Sequence, residues 1–191
     1  MMEIIAEGVS KSYNGRAVLR DISFRADASR ISCFIAPSGG GKTTLFRILM
    51  GLEKPDSGVI LPERCRWSAV FQEDRLLSGR DARYNLRFAL GRFYKEAQAS
   101  ALLETLGLGD VGAKPVREYS GGMRRRLALI RALLTPSDAL ILDEPFTGID
   151  AALRERCMEA ARRYAVGRVT LLATHTLSDA EALDAQVIRL M

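Results

Sequence analysis

The sequence predicts an α/β fold with a mainly parallel core sheet, an N-terminal antiparallel β region and an inserted α-helical subdomain. Three observations carry this expectation. An apolar run, Ile31 to Ile35, leads through a glycine-rich turn into a helical pattern with Leu45, Ile48 and Leu49 on one face. Two later apolar runs, Ala139 to Leu142 and Val169 to Thr174, stop abruptly at acidic or polar residues. Before them, from Leu76 to Leu134, the pattern changes to helical spacing, broken at Gly91, Gly107-Leu108-Gly109 and Lys114-Pro115.

Residues Glu3 to Phe24 are a predicted pair of strands around an Asn14-Gly15 turn, with Ile5, Val9, Val18, Ile22 and Phe24 as the apolar positions. Tyr13, just before the turn, is a candidate exposed aromatic, with strand-end packing as the plainer alternative. The stretch Arg30 to Thr44 then places a strand, a loop and a helix N-terminus in succession. Glycines let backbone N–H groups converge on an anion, and the helix dipole adds partial positive charge there. Ser38, Gly39, Gly40 and Gly41 form this candidate cradle, continued by Lys42, Thr43 and Thr44. Lys42 can reach the outer phosphates of a nucleotide, and the Thr43 hydroxyl can join the shell of Mg2+. The spacing fits the Walker A pattern G-x-x-x-x-G-K-[ST] with one departure, Ala36 in place of the first glycine.

After the cradle helix, Lys54-Pro55-Asp56-Ser57-Gly58 is a turn and Val59 to Leu61 a short strand. Trp67 to Phe71 is another strand, ending at Gln72, whose amide can bond a metal or a water or simply be solvated. Three helices are predicted next: Asp81 to Leu90, Ala97 to Leu106 and Ser120 to Leu134. The last begins Ser120-Gly121-Gly122, with Met123, Leu127, Ile130 and Leu134 in one apolar stripe. Glycine costs about 1 kcal/mol in a helix interior relative to alanine, so two at a helix start argue for a second site of exposed amides.

The run Ala139 to Leu142 delivers Asp143 and Glu144 to a strand end, where Asp143 can hold Mg2+ and Glu144 can polarise an attacking water. Thr147-Gly148-Ile149-Asp150 is a turn into a helix, Ala151 to Ala165. The strand Val169 to Thr174 ends at His175, the only histidine of the chain. Ser178-Asp179-Ala180-Glu181 has the form of a capping box opening a short helix, and Gln186 to Met191 a final strand.

At 191 residues the chain is expected to form a single domain, with residues 1–75 and 136–191 as an α/β core and 76–135 as the helical subdomain. No apolar run approaches the roughly 18 residues of a membrane span, and the first residues lack a basic-then-apolar leader, so export is not expected. The three cysteines are odd in number, widely spaced and in no metal-binding pattern, which suggests reduced thiols in a cytosolic compartment. A net charge of +5 admits a nucleic-acid or membrane-surface partner. The arginines are dispersed, however. The densest run, Arg124-Arg125-Arg126, lies on a predicted helix where at least one should face solvent, and no aromatics interleave with it. No nucleic-acid partner is expected.

In this order the motifs resemble those of the ATP-binding cassette (ABC) transporter ATPases over essentially the whole chain. The resemblance implies a P-loop NTPase fold and assigns roles residue by residue. Tyr13 is similar to the aromatic that stacks on adenine, and Ala36 to Thr43 to Walker A. Gln72 resembles the Q-loop glutamine, and Ser120-Gly121-Gly122 the signature core. Asp143 and Glu144 resemble the Walker B aspartate and catalytic glutamate, Asp150 the D-loop aspartate, and His175 the switch histidine. Ala36, the Tyr119 and Met123 that flank the signature core, and Thr147-Gly148-Ile149 depart from the family pattern.

What the resemblance implies is ATP hydrolysis with Mg2+ by two chains stacked head to tail, each Walker A covered by the other's signature amides. It also implies separate transmembrane permease subunits holding the chain at the cytoplasmic face of the membrane. Gln72-Glu73-Asp74-Arg75-Leu76-Leu77 resembles importers of the nitrate, sulfonate and taurine group, which work with an extracytoplasmic solute-binding protein through the permease. The alternative is a nucleotide-gated regulatory module with little hydrolysis.

Overall fold

The hairpin expected at Asn14-Gly15 joins β1 (Glu3–Tyr13) to β2 (Arg16–Asp27), antiparallel. Both turn residues have positive φ, 49° and 78°, the backbone that matches the twist of the strands on either side. The computed structural model describes residues 2–37, 39–62 and 64–190. After β2 come β3 (Ser32–Ile35), α1 (Lys42–Leu49), β4 (Ser57–Leu61) and β5 (Trp67–Val70). β4 lies antiparallel on the other side of β1, giving a sheet of order β2-β1-β4. The remaining strands are β6 (Ala139–Asp143), β7 (Val169–Thr174) and β8 (Gln186–Arg189). They form the second sheet, of order β5-β6-β7-β3-β8, in which the pairs β6–β7, β7–β3 and β3–β8 are parallel. This is a P-loop NTPase fold.

The chain divides into two compact units. The first comprises Met1–Ala69, Ser137–Glu144 and Ala165–Met191. Its core centres on Phe34, which meets Phe24 and Phe46 edge to face at 4.9 and 5.7 Å. Ile4, Val9, Leu45, Ile141 and Leu171 close around these rings, each fully buried. Burying a side chain of this size stabilises the fold by about 1.5–3 kcal/mol. β6 and β7 are buried at every position, which explains why their sequences run apolar without alternation.

One local expectation fails in this unit. Helix α6 (Leu177–Ala182) begins after Thr176, and no side chain caps it, so Ser178 lies within the helix and opens no capping box. Asp179 is instead buried, and its Oδ2 accepts from the Thr174 hydroxyl at 2.9 Å. A buried carboxylate with a strand-end hydroxyl close by takes that partner rather than a solvated backbone N–H.

The second unit comprises Val70–Pro136 and Pro145–Tyr164. It contains α2 (Ala82–Leu90), α3 (Glu96–Thr105), α4 (Gly121–Leu134) and most of α5 (Ala151–Ala165). Asp81 caps α2 by accepting from the Tyr84 N–H at 2.7 Å. Leu86, Leu106, Leu127 and Ile130 are fully buried. This unit starts at Val70, ahead of residue 76, and takes in most of α5 beyond residue 135. Leu153 packs on Gly107, and Cys157 and Ala161 are buried on the same helix. Among the described residues no helix is long and apolar enough to cross a membrane.

Candidate functional site

In the first unit, β6, β7 and β3 are neighbours and parallel, so their carboxyl ends open at one edge of the sheet. Asp143 stands opposite Ala173, and Thr174 opposite Ile35. The loop from β3 to α1 leaves from this edge. Gly41, in the left-handed region at φ 83°, is the residue from which α1 starts. The Gly40 N–H donates to the Pro37 carbonyl at 2.9 Å, closing the turn that contains Gly39. Ser38 lies outside the described residues. Lys42 is buried, and its Nζ donates to the Ala36 carbonyl at 2.7 Å, which draws the ammonium across the loop. Thr44 follows on the first turn of α1, half-buried.

Thr43 Oγ1 donates to Asp143 Oδ2 at 2.8 Å, and Asp143 is fully buried. Two hard oxygens side by side at the mouth of an anion cradle suit Mg2+, which takes one or two protein oxygens and completes its shell from phosphates and water. Glu144 follows in the left-handed region at φ 50°, its N–H donating to the Ala173 carbonyl at 2.9 Å. A non-glycine residue there carries strain of about 1–3 kcal/mol, and here the sharp turn re-aims the carboxylate. Glu144 Oε2 meets Nδ1 of His175 at 2.9 Å, the carboxylate 14% and the imidazole 66% exposed. Tyr13 is 41% exposed, and its hydroxyl donates to Glu53 Oε1. That carboxylate raises the phenol pKa, so the ring stays neutral.

The second unit holds the other candidates. Gln72 is exposed, and its carbonyl accepts from Arg125 Nη2 at 2.6 Å. Ser120 caps α4, its Oγ accepting from the Met123 N–H at 3.2 Å. Gly121 is exposed beside it. Gly122 has to be glycine, because a Cβ there would stand 2.7 Å from the Gly148 carbonyl oxygen. The start of α4 is therefore backed by the loop Thr147 to Asp150. Asp150 caps α5, with Oδ1 accepting from the Leu153 N–H at 3.1 Å.

The arginine run leaves one side chain, Arg124, 41% exposed, as its sequence leads one to expect, yet all three are engaged with main-chain carbonyls. Arg124 Nη1 donates to the Tyr119 carbonyl at 2.6 Å. Arg125 donates to the carbonyls of Phe71 and Gln72. Arg126, buried, donates to those of Leu106 at 2.6 Å and Gly122 at 3.2 Å. None of the three is simply a solvated charge. A signal was present, since cations near a helix N-terminus oppose the dipole and need other partners to hold them there. The thiols have no reactive character: burial pushes Cys33 and Cys157 up to about 12 and Cys65 to about 11.

A glycine loop between a parallel strand and a helix, facing a carboxylate that ends a nearby strand of the same sheet, defines the P-loop nucleoside triphosphatases, and this chain is one. The ABC transporter family profile matches residues 19–147. The aliphatic sulfonates import ATP-binding protein SsuB 1 of Rhodococcus jostii is 37% identical over 190 residues, covering 96% of this chain and 77% of that protein. The Nod factor export ATP-binding protein I of Rhizobium johnstonii is 36% identical over 194 residues, covering 92% of this chain and 62% of that protein. A solved ATP-binding subunit of an ABC transporter superposes with a TM-score of 0.87 at 25% identity, over 99% of this chain and 86% of the other. The chain belongs to the ABC transporter family, as one of its ATP-binding subunits.

Proposed function

We propose that this chain hydrolyses ATP to drive a membrane transporter, as a head-to-tail dimer in which the Ser120-Gly121-Gly122 amides of one copy cover the nucleotide held by Lys42, Thr43 and Thr44 of the other. The observation that carries this reading is the convergence of the loop, the Thr43–Asp143 pair and the Glu144–His175 pair on neighbouring strand ends. Tyr13 offers a neutral ring to the adenine. Lys42 leaves the Ala36 carbonyl for the outer phosphates. Thr43 and Asp143 would hold Mg2+, which when bound supplies charge neutralisation on the phosphate oxygens, and the role assigned to the Gln72 amide is to bond the metal or a water. Glu144 orients the attacking water and takes its proton as the new bond to the outer phosphorus forms and the bond to the bridging oxygen breaks. ADP and phosphate leave. His175, hydrogen-bonded to Glu144, is placed to meet the outer phosphate, and Asp150 follows the loop that backs the covering amides.

We place the chain at the cytoplasmic face of the membrane, held by transmembrane permease subunits. Import is favoured by the resemblance of Gln72 to Leu77 to sulfonate-type importers. An extracytoplasmic solute-binding protein would then deliver the solute to the permease.

The test is Glu144→Gln, which keeps the shape and removes the base. Steady-state turnover should fall about 10²- to 10⁴-fold. ATP should still bind, so the variant should elute as a monomer without nucleotide and as a dimer with ATP and Mg2+. Adding Ser120→Arg should abolish the dimer and leave monomer binding intact. A double variant that still dimerises with ATP overturns the head-to-tail arrangement, and wild-type turnover no higher than that of Glu144→Gln overturns the ATPase reading in favour of a regulatory module.

A further inference from the structure

In the second unit, Gln72 sits on a stretch whose backbone is gripped from one helix. Arg125, one turn into α4, donates through Nη1 to the Phe71 carbonyl and through Nη2 to the Gln72 carbonyl at 2.6 Å. Arg131, two turns further on, donates through Nη1 to the Arg75 carbonyl at 2.6 Å and through Nη2 to the Asp74 carbonyl at 2.9 Å. Four of the five carbonyls from Phe71 to Arg75 are thus held by two guanidinium forks. Side chains add to the grip: Asp74 Oδ1 lies 3.3 Å from Arg125 Nη1, and the Arg75 guanidinium stacks 4.2 Å over the Phe71 ring. Arg125 is well shielded, its side chain 12% exposed. A loop with no ladder partner of its own is held by charge-assisted bonds, which are about twice as strong as neutral ones. A guanidinium presents its donors in a rigid planar fork that reaches two successive carbonyls at once, which the point-like ammonium of lysine does not.

We propose that Arg125 and Arg131 are positioning residues for Gln72: they hold its backbone to α4, the helix that begins at Ser120, so that the Gln72 amide and the covering amides of Ser120-Gly121-Gly122 move as one piece. The inference rests on the proposed role of Gln72 in the ATPase reaction. Neither arginine touches nucleotide. Each acts through the carbonyls it grips, and the consequence is a coupling between two parts of the chain that lie about 50 residues apart, as the 53-residue separation of Gln72 and Arg125 records.

The test combines Gln72→Ala, Arg125→Met and Arg131→Lys in the full chain, with ATP turnover, nucleotide affinity of the unclosed chain and thermal midpoint measured for each. Gln72→Ala should lower kcat, and if it does not, the role assigned to Gln72 fails. Arg125→Met should lower kcat about ten- to a hundredfold, the usual cost of losing a supporting contact at a site, while ATP affinity stays within about twofold. Arg125→Lys, able to reach one carbonyl, should recover part of the loss. In the double variant Gln72→Ala, Arg125→Met, kcat should match Gln72→Ala alone, because an amide that is gone cannot be misplaced further. Losses that multiply, an unchanged kcat in Arg125→Met, or a loss of ATP affinity in step with kcat overturn the positioning role even where Gln72 itself matters. If Arg125→Met does not fold, the same cycle is read with Arg125→Lys and Arg131→Lys, whose losses must likewise vanish in the Gln72→Ala background.

Discussion

Ala36 stands where the phosphate-loop pattern has its first glycine, and the structure shows why alanine is tolerated. Its φ is not positive, and its carbonyl is the acceptor of the Lys42 ammonium at 2.7 Å. The methyl is buried and faces Gly40, where an added Cβ would lie 2.7 Å from it and 2.9 Å from the Pro37 carbonyl. The crowding therefore falls on position 40. Ala36→Gly should change ATP affinity by less than about tenfold, or about 1.4 kcal/mol. Gly40→Ala should weaken it by well over that, because neither Pro37 nor Ala36 can retreat without reshaping the loop. Titration with a fluorescent ATP analogue checks both, and equal effects would show that the methyl of Ala36 itself disturbs the site. The side chains proposed to meet the nucleotide can be picked out in the sequence because their chemistry dictates their type and order. The partners of Arg125, Arg126 and Arg131 were not legible there, since most are main-chain carbonyls distant in sequence, and any residue can present a carbonyl.

Among elements, strand runs were the most legible and element ends the least. β6 and β7 announced themselves through unbroken apolar residues that only a sheet covered on both faces explains. The cap of α6 was misread because a surface pattern, Ser-x-x-Glu, gave no hint of the buried bond between Thr174 and Asp179. The link between β5 and β6 was equally silent. Arg66 donates to both oxygens of Asp138, at 2.6 and 2.9 Å, its own N–H adds a third bond at 3.1 Å, and its carbonyl accepts the N–H groups of Asp138 and Ala139. The Arg66 side chain holds the Asp138 carboxyl at about 2, well below its ordinary 3.8. A depressed carboxylate stabilises the fold fully above its ordinary pKa, and that contribution disappears as pH falls from about 4 through about 2. With Asp138 32% and Arg66 73% exposed, solvent screens most of that contribution. Asp138→Asn should lower Tm by about 2–4 °C at neutral pH, with the gap closing near pH 2. A gap independent of pH would mean that the amide fails for reasons of shape, not charge.

For the whole molecule, the candidate groups divide between the two units. Tyr13, the glycine loop, Thr43, Asp143, Glu144 and His175 belong to the first, and Gln72, Ser120 to Gly122 and Asp150 to the second. On the proposed function, the first unit of one chain binds nucleotide while the second unit offers amides to another copy, and the transporter must engage a surface that neither task uses. The second unit presents one on α2. Phe88 is 69% and Tyr84 43% exposed, and the Arg80 guanidinium lies 4.7 Å over the Tyr84 ring. Large aromatics left in water at this density mark a docking surface, and the arginine adds affinity for an acidic partner. We propose that a cytoplasmic helix of the permease packs here. In vesicles carrying the chain with its permease, Phe88→Ala combined with Arg80→Glu should cut ATP-driven solute movement at least tenfold, about 1.4 kcal/mol of lost interaction, while the isolated chain hydrolyses ATP at the wild-type rate. A fall of equal size in the isolated chain would make α2 a structural face and dismiss it as the permease contact. Undiminished transport by the double variant would move the contact elsewhere on the second unit.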